Sequence, residues 1–231
     1  MREICLDIET TGLDPKDGHR IVEIACVELI NKVRSGKTFH TYVNPRRDMP
    51  AEAFAIHGIS GEFLKDKPIF DHVAHKFLEF VEGAKIVIHN AAFDTKFLNY
   101  ELNVLGLPPL PKENVLDSLQ IARSKFPGSP ASLDALCKRF NIDLSRRTKH
   151  GALLDTELLC DVYVELMGGL QSGLGFEAAK KTTADEKKSE NSAEVKIQRN
   201  LPKRDFPVSV EDLEQHKEFI LKNFKNNLWG Y

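Results

Sequence analysis

The sequence predicts an α/β domain built on a mixed sheet flanked by helices. Two features predict it: strand-like segments come first, and short strands then alternate with helical patterns. A third is material. A chain of 231 residues, 42% hydrophobic and 29% charged, can fill one well-packed core and still carry extra segments.

Each element has its own signal. Ile4, Leu6 and Ile8 alternate with Cys5, Asp7 and Glu9, the period of two that marks a strand. Thr10-Thr11-Gly12 and Asp14-Pro15 end it with turn chemistry. Arg20 to Ile30 (RIVEIACVELI) and Lys37 to Val43 read as the second and third strands. Helical patterns follow, clearest from Phe70 to Val81, where Val73, Phe77, Phe80 and Val81 share a stripe. Lys85 to Ile88 is a short apolar strand, and Ala91 to Leu105 a helix. A short strand near Val115 leads into a helix from Ser118 to Phe126, which Pro127-Gly128 breaks. The SLDALCKRF segment forms another helix, with Ser132 as its cap, and a long helix runs from Gly151 to Met167.

After Gly168-Gly169 the composition changes. Residues 169–206 are rich in Gly, Ser, Lys and Glu, which predicts a flexible linker. From Val208 the helical pattern recovers: Ser209 caps a segment containing Leu213, Ile220, Leu221 and Phe224 and ending in Leu228-Trp229. That tail is too short to bury a core of its own. The expected division is a domain over 1–168, a linker over 169–206 and a helical tail over 207–231.

Composition excludes several function classes. A net charge of −2 does not suit non-specific coating of duplex DNA, yet permits a grip on a few nucleotides. Cys5, Cys26, Cys137 and Cys160 are far apart and form no CxxC pair, which argues against a zinc site or a disulfide framework. No leader pattern precedes the first strand, and no apolar run approaches bilayer length. A cytoplasmic location is the expectation.

Five polar residues stand out against this background: Asp7, Glu9, Asp94, His150 and Asp155. Asp7 and Glu9 are two apart on one strand, so their side chains share a face with Cα atoms roughly 7 Å apart. They stand at the strand's C-terminal end, where α/β sheets place ligands. A solvated strand face would explain the pair equally well. Asp94, in HNAAFD, falls in the first turn of a helix, where the helix dipole alone could account for it. Asp155 lies on the stripe of Leu158, Leu159, Val162 and Leu166. An unpaired carboxylate there would cost several kcal/mol, so it needs a metal or a buried Arg. His150 precedes that helix in a loop, where an imidazole with a pKa near about 6.5 suits a general base. Taken together, carboxylate oxygens without thiolates favour Mg²⁺ or Mn²⁺ over zinc. The chemistry they suggest is metal-dependent phosphodiester hydrolysis, with two ions serving the attacking water and the leaving oxygen.

LDIETTGLDP, HNAAFDTKFL and HGALLDTELL resemble the three motifs of the DEDDh superfamily of 3′–5′ exonucleases. AFAIHGIS, SLDALC and the Trp-containing tail make the chain similar, more closely, to the proofreading (epsilon) subunit family of bacterial DNA polymerase III. The resemblance implies a ribonuclease H-like fold and release of 5′-mononucleotides from a DNA 3′ end. It implies that Asp7, Glu9 and Asp155 hold one ion, that Asp7 and Asp94 hold a second, and that His150 is the general base. It places the Thr10 backbone on the terminal nucleotide and His57 along the substrate channel, although a local turn role would also explain His57. Phe93 reads as core or as a surface on which a base stacks. In that family the linker carries a sliding-clamp motif, and Gln171, Leu174 and Phe176 have the Q-x-x-L-x-F spacing. The C-terminal helix, with Trp229 as anchor, would dock on the polymerase alpha subunit, and a further small core subunit is compatible. RNA-processing exonucleases share the catalytic set and form the competing reading; a non-catalytic adaptor is a second.

Overall fold

The first strand is apolar on both faces, and this makes it the centre of the sheet. In the computed structural model, which describes residues 1–145, 147, 149–169 and 209–223, β1 (Arg2–Thr10) buries Ile4, Cys5 and Leu6 completely. It pairs antiparallel with β2 (Ile21–Ile30) and parallel with β4 (Lys85–Ile88). β3 (Val33–Tyr42) flanks β2, and β5 (Val115–Asp117) flanks β4, giving the order β3-β2-β1-β4-β5. This mixed five-stranded sheet with flanking helices is the expected ribonuclease H-like arrangement.

Alternation along β1 decides which helix each residue meets. Ile4, Leu6 and Ile8 join a core with Val73 and Phe77 of α3 (Phe70–Val81) and Phe97 and Leu98 of α4 (Ala91–Val104). Cys5 points the other way, into a cluster with Leu159, Cys160 and Tyr163 of α7 (Ala152–Leu166). Asp7 and Glu9 continue the Cys5 row, so the period of two aims them at the side where α7 lies.

α1 (Ala51–His57) and α2 (Gly61–Leu64) lie between β3 and α3. α5 (Ser118–Lys125) and α6 (Leu133–Arg139) precede α7, and Ser132 caps α6 by accepting from the Ala135 N–H at 3.3 Å. All four cysteines are buried and free. Among the described residues no helix is long and apolar enough to cross a membrane.

One element departs from expectation. The third strand begins at Val33, four residues before Lys37, because β2 and β3 form a tight hairpin across Asn31 and Lys32, both at positive φ (51° and 69°). Asn tolerates that conformation; Lys rarely does. Lys32 is held there by contacts far away in sequence, its ammonium donating to Tyr163 Oη at 2.7 Å and also to Glu3.

α8 (Val210–Asn223) stands as a separate unit. Ser209 caps it, accepting from the Asp212 N–H at 3.1 Å, and Leu213 and Leu221 are exposed on it. The expected linker from residue 170 onward, including Gln171, Leu174 and Phe176, lies outside the described residues, as does Trp229.

Candidate active site

The ends of β1, β4 and α7 converge on one cavity of about 720 Å³, lined by Asp7, Glu9, Asp94, His150 and Asp155 together with Phe93, Arg123 and Arg147. All five candidates are therefore brought together, from positions up to 148 residues apart. Glu9, His150 and Asp155 form the tightest group, each offering a ligand atom within 4.8 Å of the others.

Local structure explains each placement. Asp94 enters from the first turn of α4, and its Oδ1 accepts from the Ile8 N–H at 3.2 Å, pinning the helix start to β1. Asp155 lies in the first turn of α7 and is 4% exposed, consistent with its place on the apolar stripe. His150 sits in the loop ahead of α7 with its side chain half exposed, and its Nδ1 lies 3.1 Å from Asp155 Oδ2.

The electrostatics are those of charges gathered without enough counter-charge. Burial pushes the Asp7 carboxyl well above the usual range, and the neighbouring Asp94, Glu9 and Asp155 add to the shift. Glu9 is pushed up to about 8, again by burial first and then by Asp155 and Glu23. Asp94 also rises to about 8: burial outweighs the hydrogen bonds from its own N–H and that of Ile8. Burial thus raises the Asp94 carboxyl where a helix-dipole contact by itself would lower it. A donor set of carboxylate oxygens and one imidazole, with no thiolate, fits a hard divalent cation, whose charge would reverse these shifts.

A second cavity of about 500 Å³ shares Glu9 and Phe93 with the first and is lined by Thr10, Leu13 and His57. His57 is buried, and its Nδ1 accepts from the Ile59 N–H at 3.0 Å, which is the local turn role. Its Nε2, however, has no partner, and burial lowers its pKa. Gly12 is required here: a Cβ would lie 2.3 Å from the His19 ring.

The comparisons agree with this geometry. A family model described as exonuclease matches residues 4–163. The DNA polymerase III subunit epsilon of Rickettsia conorii is 52% identical over 228 residues, covering 97% of each chain. This chain belongs to the DNA polymerase III epsilon family of exonucleases. The epsilon subunit of Escherichia coli K12 is 49% identical over 183 residues, 76% of this chain and 74% of that one. Among solved structures, exonuclease X in complex with 5′-overhanging duplex DNA matches with a TM-score of 0.56 and 28% identity, covering 71% of this chain and 90% of its own. The nuclease domain of 3′hExo, a DEDDh family member bound to rAMP, has a TM-score of 0.63 over 72% of this chain and 91% of its own; at 21% identity it speaks for the fold alone.

Two residues escape the sequence reading of this epsilon-family chain, Arg147 in the cavity and Glu23 behind it. Arg147 pairs with Asp155 through both carboxylate oxygens, Nε to Oδ1 at 2.6 Å and Nη2 to Oδ2 at 2.7 Å. A buried Arg partner for Asp155 is therefore present. Glu23, opposite Glu9 in the β1–β2 register, is 3% exposed and accepts from the Ala152 N–H at 3.0 Å. It caps α7 from another strand, where Gly151 offers no side chain of its own. A glutamate inside the apolar run RIVEIACVELI carried the same signal as Asp155 and could have been found. Arg147 had no such signal.

Proposed function

We infer that this exonuclease removes misincorporated nucleotides from the 3′ end of DNA as 5′-mononucleotides, as the proofreading subunit of a replicative polymerase. One observation carries the chemistry: four carboxyls, each less than one-tenth exposed or shifted far up in pKa, meet an imidazole in a single cavity. We assign Asp7, Glu9 and Asp155 to one of two Mg²⁺ or Mn²⁺ ions, and Asp94 with Asp7 to the other. Such ions supply positive charge to the attacking and departing oxygens of a phosphodiester. His150, at the open edge of the cavity, takes the proton from the attacking water. The Thr10 backbone and His57 seat the terminal nucleotide in the second cavity, and Phe93, shared by both cavities, offers its ring to a base. Selection of errors then has a physical source, since a mismatched end frays more readily into a single strand that can enter.

The partner assignments follow the family. Residues 1–168 are the exonuclease domain and 169–206 a linker offering Gln171, Leu174 and Phe176 to the sliding clamp. The tail over 207–231, including α8 and Trp229, docks on the polymerase alpha subunit, with exposed Leu213 and Leu221 supporting that reading. A small third core subunit and a cytoplasmic location accord with it. Tethering compensates for the weak DNA affinity of a chain with a net charge of −2.

The test is 3′-end degradation of a mismatched primer–template in Mg²⁺, beside an RNA-tipped primer. Rapid loss of the mismatched deoxynucleotide supports the proposal; trimming of the RNA end alone moves the protein to RNA processing.

A further inference from the structure

We propose that Arg147 is an internal competitor for the ion site, its guanidinium holding the Asp155 carboxylate in exchange with a divalent metal. The guanidinium occupies the cage itself. Its Nη2 is 2.7 Å from Asp155 Oδ2 and 2.8 Å from His150 Nδ1, two of the three residues whose ligand atoms cluster within 4.8 Å. Its Nε engages the other Asp155 oxygen at 2.6 Å, so the fork matches the carboxylate edge bidentately. The arginine side chain is 9% exposed and that of Asp155 6%, so water screens this pair little.

The displaced arginine has a place to go. Its Nη1 already donates to Asp134 on α6, which is half exposed and lines the same cavity. Asp7, Glu9 and Asp94 crowd the cage with carboxyls that a divalent ion satisfies better than one monovalent group can. Arg147 is thus a resident counter-charge for Asp155.

The inference rests on the divalent-ion reading of the cage, and the experiment separates the two. Mn²⁺ binding to the full chain is titrated by calorimetry, with melting curves in the presence and absence of Mn²⁺, for the wild type, Arg147→Met and Arg147→Lys. Removing an internal competitor should tighten Mn²⁺ binding about tenfold in Arg147→Met, while lowering the melting temperature without metal and narrowing that gap at saturating Mn²⁺. A merely structural arginine would lower both melting temperatures and leave affinity unchanged or weaker. Arg147→Lys keeps the charge and fold but loses the fork, and should tighten binding about threefold. It decides the question if the Met variant does not fold. Unchanged or weaker Mn²⁺ affinity in the Lys variant overturns the proposal. Absence of Mn²⁺ binding by the wild type overturns the ion reading and this proposal together.

Discussion

The two ends of β1 bury carboxylates in opposite ways. At its start, Glu3 is 1% exposed, and one of its oxygens receives both the Lys32 ammonium and the Tyr163 hydroxyl. At its end, Asp7 and Glu9 face Asp94 and Asp155, and of these four acids Arg147 is bonded to Asp155 and not to the other three. Both ends rest on the same helix, since Tyr163 and Asp155 belong to α7. A buried acid matched by a cation and a hydroxyl on one oxygen holds the sheet to α7, while its Oε2 has no hydrogen-bond partner among the described residues. Four acids this close need further positive charge to stay ionised together. Neighbouring elements follow the matched pattern: Arg2 meets Glu28 at 2.6 Å, and Arg20 meets Glu101 through two bonds.

Substitutions at the two ends should therefore separate activity from stability. Asp7→Asn is expected to reduce nuclease turnover on the order of 10³-fold, while the metal-free melting temperature at pH 8 rises, because one repelling carboxylate is gone. A fall in that melting temperature would put Asp7 in the same class as Glu3. His150→Ala should lower kcat about 10²-fold to 10³-fold with little change in KM, measured on a 3′-labelled single strand. Equal losses in DNA binding and turnover would remove its base role.

At the matched end the signs reverse. Glu3→Ala leaves the Lys32 ammonium with the Tyr163 hydroxyl but no counter-charge, and should cost about 3 kcal/mol in denaturant unfolding, with the activity of the folded fraction unchanged. Tyr163→Phe removes only the hydroxyl and should cost about 1 kcal/mol.

A smaller effect follows from pH. Glu9 and Asp94 titrate near 8 in the folded chain, against ordinary values of 4.5 and 3.8. The folded state thus binds more protons between those limits. Stability of the metal-free chain from this source is full below about pH 4, declines as pH rises and levels off above about pH 8. Glu9→Gln should flatten the slope, and Mn²⁺ should cancel it, because metal favours the ionised carboxylates. An unchanged slope in Glu9→Gln would show that Glu9 is not buried against like charge.

Much of this contrast was legible in the sequence where periodicity carries information. The alternation of β1 put Asp7 and Glu9 on one face, and the stripe of α7 exposed Asp155 as a buried acid in need of a partner. Other parts depended on contacts that no local pattern encodes. The Asn31-Lys32 hairpin lacks a glycine, and its lysine is held at positive φ by Glu3 and Tyr163, the latter 131 residues away. Arg147 lies in an aperiodic stretch and gains its meaning only when that loop folds back over the start of α7. His57 was half legible: its turn role is local, whereas its unpartnered Nε2 depends on burial beside Thr10.

The most direct test of the central claim is the stoichiometry of Mn²⁺ binding to the full wild-type chain, beside Asp7→Asn and Glu3→Gln, by calorimetry at pH 8. Two ions per chain, lost or reduced to one in Asp7→Asn and intact in Glu3→Gln, is the predicted result. Binding that is absent in the wild type, or lost equally in both variants, would contradict the assignment of the unmatched end of β1 as the metal site.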